Sequence, residues 1–144
     1  MRDFKCYEDL EAEIIYKHNS VVKPHDRVYF LGDVAIKKAS LSKVSEMNGR
    51  KVLIKGNHDI FKIKEYLTYF EDIRACRVFK NLILTHIPIN EECLSRFKLN
   101  IHGHTHANHL PQTEKYKNVC LEETKYYPNN LTKIIEELDN EKQN

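Results

Sequence analysis

The sequence lacks several features that would place a protein in a common functional class. No run approaches the roughly 18 apolar residues of a membrane span, and no apolar signal-peptide region follows the first five residues. The 23 basic and 21 acidic residues nearly balance, which gives no general drive toward nucleic acid or anionic lipid. We therefore expect a cytoplasmic protein that has no membrane partner.

Cysteine is also sparse, and its spacing excludes two further classes. The four cysteines are Cys6, Cys76, Cys93 and Cys120, and no two of them form a Cys-x-x-Cys pair. This spacing argues against a zinc ribbon and against a thioredoxin-like redox motif. We expect reduced cysteines and no catalytic thiol.

The composition is sufficient for one folded core. Of the 144 residues, 41% are hydrophobic, and eight Tyr and six Phe are among them. A chain of this length most often forms one domain, so we expect a single domain over residues 1–144 that ends in a polar tail at 139–144. The sequence shows no internal repeat and no interdomain linker.

Hydrophobic patterning and turn residues predict the secondary structure. Helices are predicted at about 8–18, 40–47, 61–69, 91–97 and 131–138. Strands are predicted at about 27–31, 51–55, 73–79, 82–85, 99–102 and 118–123, with a tight Lys80-Asn81 turn before the strand at 82–85.

Four apolar runs each lead into residues that can bind a metal ion. These residues are Asp33, Asn57, His86 and the pair His104 and His106. Open α/β sheets bind ligands beyond the carboxyl ends of their strands, so residues distant in sequence can converge there. In an extended segment, His104 and His106 would project to the same side. The pattern predicts a metal site built on strand ends.

Taken singly, several of these residues also allow a purely structural interpretation. Asp33 is also suited to capping a helix, and Asn57 after a glycine is also typical of a turn. His86 taken alone is more typical of a core or loop histidine than of a ligand. We expect His102 and His109 to support the site or to lie on the surface, and His18 and His25 to lie on the surface.

Taken together, four motifs in order resemble the calcineurin-like metallophosphoesterase family, in particular its small bacterial and phage-type members. The motifs are Gly32-Asp33, Gly56-Asn57-His58-Asp59, His86 and Gly103-His104-Thr105-His106. The resemblance implies an α/β fold, a metallophosphoesterase-like β-sheet sandwich flanked by helices. It also implies hydrolysis of a small phosphodiester or phosphomonoester by a metal-activated water.

The resemblance further implies a ligand set for two divalent ions. Its mixed nitrogen and oxygen ligands suit manganese, iron, zinc or nickel. Asp33 would bridge both ions. Asn57, His86 and His104 would complete the first site, and His106 would bind the second ion.

Two further residues receive catalytic roles from the resemblance. His58 would bind no metal and would lie beside the substrate phosphate, where it steadies developing charge or protonates the leaving oxygen. Asp59 would orient His58.

The sequence departs from the family pattern in one respect, because the amino-terminal strand ending in Asp-x-His is missing before Gly32-Asp33. We therefore expect one well-formed metal site and one incomplete site that keeps only Asp33 and His106. An alternative follows, in which a catalytically impaired relative acts as a nucleotide- or protein-binding module. The missing strand would also expose a sheet edge, which self-association as a homo-oligomer or a rearranged amino terminus would cover. A further alternative is that the chain is a shortened form.

Overall fold

The fold is mixed α/β, with two β-sheets and helices that connect and cover their strands. We describe it from a computed structural model that covers residues 5–106, 108 and 113–141. The α-helices are α1 (Tyr7–Val21), α2 (Lys38–Ser42), α3 (Ile63–Tyr66) and α4 (Leu131–Glu141). Short 3₁₀ helices cover Lys43–Glu46, Glu91–Leu94 and Thr113–Lys115. The strands are β1 (Arg27–Phe30), β2 (Arg50–Ile54), β3 (Asp72–Arg74), β4 (Arg77–Phe79), β5 (Leu82–Thr85), β6 (Leu99–His102) and β7 (Tyr116–Asn118).

Parallel pairing aligns the strand ends from which the site is built. The first sheet has the order β1-β2-β3 and is parallel throughout. The second has the order β4-β5-β6-β7, in which β4 runs antiparallel to β5 and the remaining pairs are parallel. Phe30 pairs with Leu53 and Thr85 pairs with His102, so β1 and β2 end at nearly one level, as do β5 and β6.

Each sheet carries its own hydrophobic cluster. Leu53, Tyr66 and Phe70 are buried in the first cluster, where the first sheet meets the helices. Leu82 and Ile134 are buried in the second, where α4 packs on the second sheet. Truncating a fully buried leucine such as Leu53 to alanine costs about 2 to 5 kcal/mol, so these clusters fix the sheets that position the site.

The prediction that His18 lies on the surface is wrong. This side chain, near the end of α1, is only 3% exposed. Its Nε2 lies 2.7 Å from the carbonyl oxygen of Asn48, and its ring stacks on Phe30 at a centroid distance of 5.9 Å. Burial lowers the pKa of His18, and the Asn48 carbonyl opposes this shift only in part. His25 is exposed, as expected.

The predicted strand at 73–79 is two strands that belong to different sheets. Asp72–Arg74 pairs with β2 in the first sheet, and Arg77–Phe79 pairs with β5 in the second. The chain crosses between the sheets at exposed residues 75 and 76. Alternation alone could not reveal this crossing, because both halves keep a strand pattern. The Lys80-Asn81 turn joins β4 to β5 as predicted.

The predicted strand at 118–123 is also misplaced. The strand is β7, and the side chain of Asn118 ends it by accepting a hydrogen bond from the Cys120 amide at 2.9 Å. Turns follow at residues 121–126, with Lys125 and Tyr126 in the left-handed region. These turns carry Glu122 toward the site motifs.

The helix boundaries differ from the predictions, most clearly in three of the helices. The helix expected at 61–69 is the single turn Ile63–Tyr66, and that expected at 91–97 is the 3₁₀ helix Glu91–Leu94. Of the expected polar tail, residues 139–141 belong to α4, and residues 142–144 lie outside the described part of the chain.

Within the described residues, β1 is an edge strand whose second side pairs with no other strand. Whether a partner covers that edge stays a prediction. None of the described helices combines the length and the apolar character that crossing a bilayer requires. All four cysteines are free thiols.

Candidate metal centre

His86, directly after β5, is held in one orientation. Its side chain is 5% exposed, and its Nδ1 lies 2.6 Å from the backbone carbonyl oxygen of Leu31, at the end of β1. A carbonyl oxygen only accepts hydrogen bonds, so Nδ1 carries the proton and donates it. In the neutral ring, Nε2 therefore presents a lone pair on the opposite side.

Three other electron-rich atoms surround that lone pair. Nε2 of His86 lies 2.9 Å from Oδ1 of Asn57, 3.2 Å from Oδ2 of Asp33 and 3.2 Å from Nδ1 of His104. Ligand atoms of Asp33, His86 and His104 all lie within 4.8 Å of one another. We call Asp33, Asn57, His86 and His104 the strand-end pocket.

The spacing inside the strand-end pocket fits a bound cation. A proton on His104 can satisfy one of the contacts, but the oxygens of Asp33 and Asn57 still face a nitrogen lone pair. Either a second proton on His86 or a bound cation relieves that repulsion. With metal–ligand bonds of about 2.1 Å, neighbouring ligand atoms lie about 3.0 to 3.4 Å apart, close to the separations around His86. Mixed nitrogen and oxygen ligands suit a divalent transition metal.

Glycine allows the loops after β1 and β2 to touch. Gly32 has φ +95, and a Cβ there would lie 2.7 Å from the Cα atom of Gly56. A Cβ on Gly56 would in turn lie 2.6 Å from the backbone nitrogen of Asp33. Larger residues would push the loops apart, and the oxygens of Asp33 and Asn57 would separate with them.

Two residues of the pocket have a left-handed backbone that costs free energy. Asp33 has φ 55 and His104 has φ 66, and neither is glycine. Such a conformation costs on the order of 1 to 3 kcal/mol and is found most often at functional sites. His106 has φ 51, so the segment is not extended. The premise that His104 and His106 project to the same side of a strand is therefore wrong.

Asp59 has a different role from the one expected. Its side chain is 1% exposed and accepts hydrogen bonds from the backbone amides of Asp33 (2.8 Å), Val34 (2.9 Å) and Gly56 (2.8 Å). The expectation that it orients the His58 ring is wrong, because both carboxylate oxygens bind backbone instead. Asp59 braces the loop after β1 against the loop after β2.

His58 lies on the open side of the strand-end pocket. Its side chain is 69% exposed, and its Nδ1 lies 3.1 Å from Oδ2 of Asp33. Its backbone amide donates to Oδ1 of the same carboxylate at 2.8 Å. Asp33, rather than Asp59, therefore positions the His58 ring, which remains accessible to a ligand above the pocket.

His106 is not brought into this group. Its side chain is 73% exposed, and its Nδ1 lies 3.2 Å from Oε1 of Glu122. Its carbonyl oxygen accepts a hydrogen bond from the Asn118 side chain at 2.5 Å. Sequence reasoning missed Glu122, because no strand end or motif marks it and the turns after β7 bring it near His106.

His102 lies beneath the site, at the end of β6. It is buried, and its Nδ1 lies 2.9 Å from the carbonyl oxygen of Gly103. Burial lowers the pKa of His102 more than this carbonyl raises it, and the neighbouring His104 lowers it further. A neutral, buried His102 therefore supports the Gly103-His104-Thr105-His106 segment through its contact with the Gly103 carbonyl. His109 lies outside the described residues.

The relatives of this chain have names that state no activity. No family model matches the chain. The uncharacterized protein MJ1445 of Methanocaldococcus jannaschii is 34% identical, over 93% of this chain and 78% of the relative. The crystal structure of a protein of unknown function, AQ665 from Aquifex aeolicus, is similar with a TM-score of 0.67 and 28% identity, over 91% of this chain and 86% of that one. The chain belongs to the family of the M. jannaschii protein.

Proposed function

We propose that this protein is a metal-dependent phosphoesterase with a metallophosphoesterase-like sandwich fold. The observation that carries the proposal is the convergence of Asn57, Asp33 and His104 on Nε2 of His86. A divalent ion held there supplies positive charge that polarises a phosphoryl group and activates a water molecule. Manganese, iron, zinc and nickel all suit this ligand set.

The chain's own residues supply the remaining chemistry. His58 is accessible and lies beside Asp33, so its ring can contact a phosphate that binds over the strand-end pocket. From that position it can hydrogen-bond a phosphate oxygen or give a proton to the leaving oxygen. Asp59 does not contact substrate in this proposal. It holds the loop after β1 and the loop after β2 together through hydrogen bonds from the Asp33 and Gly56 amides.

A second candidate is a catalytically impaired relative that holds one ion and binds a nucleotide or a protein. The position of His106 favours it, because this ring contacts Glu122 and lies outside the strand-end pocket. A two-metal site stabilises both the attacking and the leaving oxygen, and a one-metal site loses part of that effect. The two candidates therefore differ in turnover more than in metal binding.

The experiment compares hydrolysis by wild type and two histidine variants. Protein stripped of metal is reconstituted separately with manganese, iron, zinc and nickel and assayed with an aryl phosphodiester and an aryl phosphomonoester. We expect turnover with at least one metal, and a loss of about 10² to 10⁴ in kcat for His58→Ala. His25→Ala is the matched control, because it also removes an exposed histidine, and it should keep full activity.

The same assay separates the two candidates when the metal content of each reconstituted protein is measured alongside. If the protein binds metal but shows no turnover with any of the four metals, the catalytically impaired relative is favoured. If His58→Ala keeps as much turnover as His25→Ala, the role proposed for His58 is contradicted. Absence of metal binding would remove both candidates.

A further inference from the structure

A second polar crevice lies between the two sheets, apart from the strand-end pocket. Its volume is about 350 Å³, within the range of small-molecule sites. It is lined by Arg27, Tyr29, Val52, Glu71, Asp72, Arg74 and Arg77. None of these residues belongs to the strand-end pocket, so the inference does not rest on the proposed function.

Strand register explains why the walls of the crevice converge. Tyr29 pairs with Val52, and Val52 pairs with Asp72, so these three residues form one row across a face of the first sheet. Arg77 reaches the crevice from β4, in the second sheet, and its Nε donates to the Tyr29 hydroxyl at 3.2 Å. The crevice therefore has one wall on each sheet.

The charges of the crevice do not cancel. Arg74 lies 2.7 Å from an oxygen of Asp72, and Arg27 lies 3.6 Å from an oxygen of Glu71. Arg77 is half-buried and forms no ion pair with any carboxylate of the described residues. Its Nη atoms have no hydrogen-bond acceptor within that part of the chain. A half-buried guanidinium without a counterion is costly unless an anion or water solvates it.

The pKa of Tyr29 is also affected by the positive charge of the crevice. Burial raises the pKa of Tyr29, but the hydrogen bonds and charges of Arg77 and Arg27 outweigh burial and hold the pKa below its usual value. Two guanidinium groups thus lie near one hydroxyl, an arrangement that donates several hydrogen bonds toward one anion.

We propose that this crevice binds the phosphate group of a small molecule, with Arg77, Arg27 and Tyr29 as donors. Phosphate suits the site because Arg presents a fork of N–H donors to phosphate oxygens, and the tyrosine hydroxyl adds another donor. The carboxylates of Glu71 and Asp72 repel a long polyanion, so a single small phosphate fits better than a nucleic-acid backbone. The volume leaves room for a small organic group beside the phosphate.

The test measures phosphate affinity calorimetrically at fixed ionic strength. The full chain is stripped of metal by a chelator and dialysed, so that no ion in the strand-end pocket attracts phosphate. The ligands are inorganic phosphate, phenyl phosphate and a single-stranded oligonucleotide. We expect phenyl phosphate to bind at least as tightly as inorganic phosphate, and the oligonucleotide to bind more weakly per phosphate than either.

Three variants assign the binding to the crevice. Arg77→Gln should weaken phosphate affinity by about tenfold or more, and Tyr29→Phe by about threefold to tenfold. Lys133→Gln, on the exposed face of α4, also removes one positive charge and should leave the affinity unchanged. Circular dichroism checks that each variant folds. If Arg77→Gln fails to fold, Tyr29→Phe still tests the site.

Two results would overturn the inference. Either wild type binds no phosphate, or Lys133→Gln weakens binding as much as Arg77→Gln and Tyr29→Phe do. Tighter binding of the oligonucleotide through the same residues would overturn the choice of a small ligand.

Discussion

The two histidines of Gly103-His104-Thr105-His106 lie in contrasting surroundings. His104 contacts the ring of His86, which is itself fixed by the Leu31 carbonyl and nearly excluded from solvent. His106 is 73% exposed, and its ring contacts Glu122. A histidine becomes a strong ligand candidate when its neighbours fix the direction of a lone pair, and the motif alone does not provide this.

The difference arises from how each region is supported. The strand-end pocket rests on the ends of β1 and β2 in the first sheet and of β5 and β6 in the second, and Asp59 ties two of its loops together through three backbone amides. The His106–Glu122 pair rests on turns that follow β7, where Lys125 and Tyr126 adopt left-handed backbone. Substitutions that change either the strand-end pocket or the His106–Glu122 pair, but not both, test this contrast.

The largest effect is expected from Asp59→Ala. The substitution removes the acceptor of three backbone N–H groups at a buried position, which should cost about 3 kcal/mol or more of unfolding free energy. Urea unfolding measures the loss. His106→Ala is the control, and it should cost under about 1 kcal/mol because this side chain is 73% exposed. Equal losses would contradict the bracing role of Asp59.

Next in size is the effect of His86→Ala on metal affinity. Removing the nitrogen at the centre of the strand-end pocket should weaken binding of manganese or zinc by at least about 100-fold, measured by competition with a chelating dye. The His18→Gln variant, which also changes a buried histidine but lies outside the pocket, should keep the wild-type metal affinity. An affinity unchanged in His86→Ala would contradict the ligand assignment.

A smaller effect is expected from pH at His18, a buried histidine outside both regions. Burial depresses its pKa in the folded protein, so folding favours neutral His18. Its contribution to stability is complete above the unfolded pKa of about 6.5 and is lost as pH falls through the lower folded pKa. Urea unfolding at a series of pH values from 8 to 5 should show this loss in wild type.

The control for the pH series is His18→Gln, which cannot titrate. Its unfolding free energy should fall less steeply with acidification than that of wild type. Parallel curves for the two proteins would show that protonation of His18 is not coupled to folding.

The smallest effect is expected from His106→Ala. This ring lies outside the strand-end pocket, so metal affinity should change by less than about threefold. The dye competition used for His86→Ala measures it. A loss as large as that of His86→Ala would mean that His106 moves into the pocket when metal binds.

The sequence allowed the strand-end pocket to be predicted because its members follow apolar runs that form parallel-paired strands. Apolar runs before Asp33, Asn57 and His86 indicated the ends of β1, β2 and β5, and the parallel arrangement brings such ends together. Fold class could be predicted for the same reason, in its coarse form of a mixed α/β protein with two sheets.

Other features depend on backbone geometry that residue types do not reveal. The hydrogen bonds to Asp59 come from amides that every residue but proline carries, so no motif marks them. The expectation that His104 and His106 project to the same side was wrong because the chain leaves β6 in left-handed rather than extended conformation. The crossing between sheets at residues 75 and 76 was missed because a strand pattern continues on both sides.

The most direct test of the account is an anomalous difference map from crystals of manganese-reconstituted protein, recorded near the manganese absorption edge. We predict its strongest peak within about 2.5 Å of His86 Nε2, with Asp33, Asn57 and His104 as the other protein ligands. A map without a peak in the strand-end pocket, or with its strongest peak between His106 and Glu122, would contradict this ligand assignment.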